Sequence, residues 1–126
     1  MAAPSQRAVV GLLAKRSVIF ERAELRRGML LFIPKSGDVT LKIDLNDRGS
    51  LSAQEIVVDE SSTTAPTLYI EWNDPAANAR RTRVYTHNTH YRMRLKFSAA
   101  FDSGELTLRL PDKEEGSVTG AFSVIK

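Results

Sequence analysis

Several features that define other protein classes are missing from this sequence. The chain of 126 residues contains no cysteine, which excludes disulfide frameworks, thiolate metal sites and cysteine nucleophiles. No apolar run reaches the length of a membrane span. The seven glycines do not form a phosphate-binding loop. No segment keeps a 3.6-residue hydrophobic period long enough for a substantial helix. These absences leave an all-β domain as the favoured class.

Length and composition fit one soluble globular domain. Hydrophobic residues make up 42% of the chain and charged residues 26%, which is ordinary for such a domain. We expect a single domain over residues 1–126, with residues 1–7 as a flexible leader. We also expect a soluble, intracellular protein. Residues 1–20 contain three basic residues and no acid, so a mitochondrial presequence is the alternative to an ordinary first strand.

Apolar and polar residues alternate with a period of two in several segments. The clearest examples are residues 39–45, 68–72, 91–97 and 106–110, and this alternation is typical of strands with one buried face. Turn-forming residues separate the segments at the spacing of short strands. The pattern predicts an antiparallel β-sandwich or barrel, jelly-roll-like or up-and-down, of about eight to ten strands.

The basic residues are concentrated in one stretch, residues 80–96. This stretch contains five Arg, one Lys and two His but no acid, whereas the rest of the chain has 12 Lys and Arg against 15 acids. Alternation on both sides of Asn88-Thr89 predicts a β-hairpin with a two-residue loop. In this hairpin His87 faces His90, Tyr85 faces Arg92, Arg83 faces Arg94 and Arg81 faces Lys96. Val84 is expected to point inward with the other apolar residues.

The outward face of this predicted hairpin is the candidate binding surface. Rows of cationic side chains can follow a phosphate backbone or an acidic protein surface, and Tyr85 can stack on a base. Recognition of nucleic acid would be mainly of the backbone, because no Asn/Gln row is present to read bases. The alternative is a solvated sheet face whose charge is neutralised by Glu71 and Glu105. The predicted partner-binding residues are Arg81, Arg83, Tyr85, His87, His90, Arg92, Arg94 and Lys96.

Two weaker motifs point to metal ions. Residues 44–55 resemble an EF-hand calcium loop, with Asp44, Asn46, Gly49 and Glu55 at matching positions. Arg48 stands at a ligand position, however, and the incoming segment alternates as a strand where an EF-hand needs a helix. The two histidines would need a third ligand to hold zinc or copper, and the flanking arginines repel cations. We therefore expect neither a metal site nor a cofactor.

No catalytic signature is present, so we expect a non-catalytic binding module with an acidic partner. The second interpretation is a β-barrel that carries a small apolar ligand. The third is a structural subunit of a homo-oligomer. In the carrier, the cavity would be lined by Leu41, Ile43, Leu68, Ile70, Trp72, Met93, Leu95, Phe97, Leu106 and Leu108. A packed centre with an exposed cationic strip would favour the binding module.

Overall fold

The computed structural model describes residues 8–35, 38–45, 55–59, 65–86, 91–111 and 116–125. Within these ranges the protein has ten β-strands and no α-helix. The strands are β1 (Val9–Leu13), β2 (Arg16–Arg26), β3 (Met29–Pro34), β4 (Thr40–Asp44), β5 (Glu55–Val58), β6 (Thr67–Asp74), β7 (Ala79–Tyr85), β8 (Arg92–Phe97), β9 (Ser103–Arg109) and β10 (Ser117–Ile125). The predicted all-β class is confirmed.

The strands form one curled sheet with the shape of a half-barrel. Their order is β5-β8-β9-β10-β1-β2-β3-β4-β6-β7, and neighbours in this order pair antiparallel. The first and last strands therefore meet in the middle of the sheet, with Val9 opposite Gly120. Strand β10 extends past the first residue of β1, and there it pairs directly with β2 in parallel. Strands β5 and β7 form the two edges.

Two tight turns with positive φ fold the chain between β1 and β3. Ala14 (φ 52°) and Lys15 (φ 63°) connect β1 to β2, and Arg27 (φ 52°) and Gly28 (φ 81°) connect β2 to β3. Positive φ at both central residues is the geometry of the type I′ turn, whose twist matches that of the flanking strands. At Ala14 and Lys15 the tertiary pairing imposes this geometry on residues that do not favour it.

The inner face of the curled sheet is filled with apolar side chains. Phe32 on β3 contacts Phe20 on β2, with ring centroids 5.7 Å apart, and Phe122 on β10 at 4.8 Å. Phe122 in turn lies 6.3 Å from Phe97 on β8. Tyr91, just before β8, is buried and its hydroxyl donates to the carbonyl oxygen of Pro66, just before β6. These contacts join the two halves of the sheet across one core.

The inward positions predicted for several strands are confirmed. Met93, Leu95 and Phe97 on β8 are buried, as are Leu106 and Leu108 on β9. Of the residues assigned to a carrier cavity, only Trp72 is not fully buried; it is half-buried and packs against the core.

The predicted hairpin between β7 and β8 is wrong. Strand β7 pairs with β6, and β8 lies in the other half of the sheet between β5 and β9. Pairing with β6 places Tyr85 opposite Leu68, where its ring is buried, and leaves Val84 on the outer face with 47% of its surface exposed. The inward residues of β7 are thus the reverse of those predicted, because burying the tyrosine ring removes more apolar surface from water than burying a valine.

Candidate functional site

The structure places the six described residues of the predicted binding set on two strands that do not pair with each other. Arg81, Arg83 and Tyr85 lie on the edge strand β7, whereas Arg92, Arg94 and Lys96 lie on β8. Tyr85 is 4% exposed, so it does not present its ring to a partner as predicted. His87, His90 and the proposed Asn88-Thr89 loop lie outside the described residues. No continuous strip of the predicted kind is formed by the strands of the described chain.

Acidic neighbours balance the arginines at the β7 edge. Arg81 Nε lies 3.2 Å from Asp74 Oδ2. The Arg80 guanidinium lies 3.9 Å from both Asp38 Oδ2 and Glu71 Oε1. The cross-strand register also puts Arg81 and Arg83 on the same side of the sheet as the inward residues of β6. The contacts of Arg80 and Arg81 suit a scaffold role, in which each guanidinium is held against β6 or the β3–β4 turn.

The outward face of β8 remains an exposed cationic row. Arg92, Arg94 and Lys96 alternate with buried residues and point to the outer surface, as predicted. Arg94 Nε donates to Glu55 Oε2 at 2.6 Å, and Lys96 lies opposite Glu105 on β9. These two cations therefore have an acidic neighbour in an adjacent strand. The third cation of the row, Arg92, lies opposite a cation on β9.

Arg92 lies directly opposite Arg109 of β9. Like charges in directly opposite positions disfavour a strand pair. The side chain of Arg109 is exposed and makes no ion pair with an acid in the described part of the chain. Sequence reasoning missed Arg109 as a site residue. Its alternation with Leu108 and Leu110 predicted exposure, but only the β8–β9 register brings it to Arg92.

An open groove adjoins this arginine pair on the outer face. It has a volume of about 720 Å³, and Arg92 and Arg109 line one side while Leu12 of β1 lines another. Ser117 and the backbone of Gly116 also contribute to its lining. A second, smaller groove of about 410 Å³ continues along β9, β10 and β1 and shares Arg109 and Ser117 with the first. Together they form one trough beside the cationic row.

The other sequence motifs gain no support as metal sites. Asp44 ends strand β4 and Glu55 begins strand β5, so the EF-hand-like segment is flanked by strands and not by helices. Most of that segment, residues 46–54, lies outside the described residues. The carboxylate of Glu55 is engaged by Arg94. Within the described ranges, no three His, Cys, Asp or Glu side chains are grouped so that they could hold a metal ion.

Comparison with known proteins identifies no relative. No protein-family model, curated protein or solved structure matches the chain. Among the residues that the structure describes, no helix has the length and apolar character needed to cross a membrane.

Proposed function

We propose that this protein is a non-catalytic binding module that contacts an acidic partner, either nucleic acid backbone or an acidic protein surface. The contact surface is the outer face of β8 and β9, formed by Arg92, Arg94, Lys96 and Arg109. The observation that carries the proposal is the Arg92–Arg109 pair, which places two cations directly opposite each other at the rim of an open groove.

The physical reason is a difference in free energy between the free and the bound protein. An anionic group placed between the two guanidinium groups removes their mutual repulsion and gains charge-assisted hydrogen bonds. Arginine suits this role because its planar guanidinium binds carboxylate or phosphate in a bidentate manner. The β7 arginines do not enter the proposed surface, because β7 lies at the opposite edge of the sheet from β8 and β9.

The interior supports the binding module over the ligand carrier. A carrier needs an unfilled apolar cavity, whereas the aromatic rings of β2, β3, β8 and β10 contact one another across the centre of the curled sheet. The largest groove described above opens at the surface, beside charged side chains.

The experiment is a binding titration against two model polyanions, labelled polyglutamate and labelled oligothymidylate, at several salt concentrations. If three or four charges are neutralised, we expect a log–log slope of affinity on salt of about −2 to −3 for the single strand. Arg109→Glu should weaken binding strongly and flatten the slope.

The matched control is Arg22→Glu. Arg22 is also exposed, lies on the outer face of β2 opposite Ser123, and changes the net charge by the same amount. Arg109 lies opposite Ser117 on the same strand, β10. Because Ser123 is six residues along that strand from Ser117, the two arginines are roughly 20 Å apart. Equal loss of affinity in both variants, or binding that does not respond to salt, would rule out a local site on β8 and β9.

A further inference from the structure

The outer face of five adjacent strands has a graded composition. Strand pairing places Arg94, Thr107, Thr119, Val10 and Ile19 in one row, from β8 across β9, β10 and β1 to β2. The row thus begins with a cation, continues through two threonines and ends with two aliphatic residues. Thr107 and Thr119 contact each other through their hydroxyls, with the oxygens 3.1 Å apart.

The next row repeats this gradient. Arg92 lies opposite Arg109, and Arg109 lies opposite Ser117 on β10. Leu12 on β1 then stands on the far side of the groove. Small hydroxyl side chains therefore form the floor of a trough, with arginines along one wall and aliphatic residues along the other.

The aliphatic wall is unusually exposed for an apolar surface. Leu12 is 48% exposed and Ile19 is 38% exposed, and the half-buried Val10 lies opposite Ile19. Single exposed apolar residues are common, but Leu12 and Val10 line the two grooves and Ile19 lies beside Val10. Burial of this wall by a partner would contribute favourable free energy.

The width of the trough suits a single extended chain. Strands β9 and β1 are separated by β10, so Arg109 and Leu12 stand roughly 10 Å apart at a strand spacing of about 4.8 Å. An extended peptide directs successive side chains to opposite sides. One set can then meet the arginine wall while the other set meets the aliphatic wall.

Single-stranded nucleic acid fits this surface less well. Binding of single strands commonly uses aromatic side chains, each worth about 1–3 kcal/mol per stacked base. Tyr85 and Tyr91 are buried, and Tyr69 lies on β6 in the other half of the sheet. The described trough offers arginines for phosphates, but its opposite wall is aliphatic and provides no ring for a base.

We infer that the trough binds an extended acidic protein segment that also carries aliphatic side chains. Its carboxylates contact Arg92 and Arg109, and its aliphatic side chains pack on Leu12 and Ile19. This inference rests on the proposed function and narrows the acidic partner to a peptide that contacts both walls of the trough.

The test compares three labelled probes by fluorescence anisotropy. The first is a peptide of alternating Glu and Leu, the second has Ser in place of every Leu at the same charge, and the third is oligothymidylate. We expect the Glu/Leu peptide to bind most tightly. Leu12→Thr should weaken binding of that peptide by roughly fivefold, because part of a leucine contact is lost. It should leave binding of the Glu/Ser peptide unchanged.

Val84→Thr is the control for Leu12→Thr. Val84 is similarly exposed, at 47%, but lies on β7 in the other half of the sheet, so this variant should bind all three probes normally. Circular dichroism and urea unfolding of each variant establish that the fold is retained.

The outcomes distinguish failure of the peptide inference from failure of the proposed function. If Arg109→Glu weakens binding of the probes but Leu12→Thr changes nothing, the peptide inference is wrong and the proposed function stands. The same holds if oligothymidylate binds tightest and is insensitive to Leu12. If no probe binds in a manner that depends on Arg109, both the inference and the proposed function fail.

Discussion

Replacing Arg109 by Glu should stabilise the fold while it removes binding. Arg109 lies directly opposite Arg92, and exposed unit charges about 6 Å apart in water interact by about 0.7 kcal/mol. The substitution removes one repulsion and adds one attraction. Because both side chains are solvated and flexible, we expect a net gain of about 0.5–1 kcal/mol.

Urea unfolding at low ionic strength measures this gain, because urea is uncharged and does not screen the pair. With an m-value of about 1.5 kcal/mol/M, the midpoint should rise by roughly 0.3–0.7 M without a change in m. The gain should nearly vanish in 1 M salt, where the Debye length is only about 3 Å. It should also vanish in an Arg92→Gln background, which completes a double-mutant cycle.

Arg22→Glu again provides the control, since it makes the same change to the net charge of +3. An equal gain in Arg22→Glu would show that the effect is one of overall charge. A gain that persists in the Arg92→Gln background would equally refute the local pair. A stabilising substitution that abolishes binding would indicate that the arginine pair is retained at a cost in stability.

Three further changes test the fold. Tyr91→Phe should lower the free energy of unfolding by about 1–2 kcal/mol in urea unfolding, because a buried carbonyl loses its donor. Ala14→Asn combined with Lys15→Gly should raise the thermal midpoint, because these residues tolerate positive φ; an unchanged or lower midpoint would contradict the type I′ turn. Leu95→Ala should cost about 2–5 kcal/mol in urea unfolding and Val84→Ala should cost little, since Leu95 is fully buried and Val84 is exposed.

The sequence predicts individual strands of this fold well where the alternation is strong. On β8, Met93, Leu95 and Phe97 alternate with three cations, so only one face can be buried without burying charge. Strand β7 carries a weaker signal, because polar residues occur on both of its faces. The two faces differ mainly in their one large apolar residue, which is Val84 on one face and Tyr85 on the other. The choice between these two residues depends on the neighbouring strand, which local pattern does not reveal.

The candidate site was predictable only in part, for the same reason. The exposure of Arg92, Arg94 and Lys96 follows from alternation within β8. The position of Arg109 beside Arg92, and of Leu12 across the groove, depends on pairings among β8, β9, β10 and β1 that join the two ends of the chain. Such pairings depend on the burial of the whole sheet, so a single stretch of sequence does not predict them.

The pairing of β7 can be tested with engineered cysteines, because the chain has none of its own. Tyr69 and Val84 are directly opposite on the outer face of β6 and β7. Opposite residues of antiparallel strands have Cα atoms about 4.5–5.5 Å apart, within the range of a disulfide. Tyr69→Cys with Val84→Cys should therefore oxidise readily to an intramolecular disulfide.

Arg83→Cys with Arg94→Cys is the counterpart for the hairpin that the sequence suggested. These residues lie on strands β7 and β8, which the structure places in different halves of the sheet, so this pair should keep free thiols under the same oxidant. Intact-mass measurement after thiol alkylation distinguishes the two states in each variant. A disulfide between positions 83 and 94 with free thiols at 69 and 84 would restore the hairpin, and with it a continuous basic strip across β7 and β8.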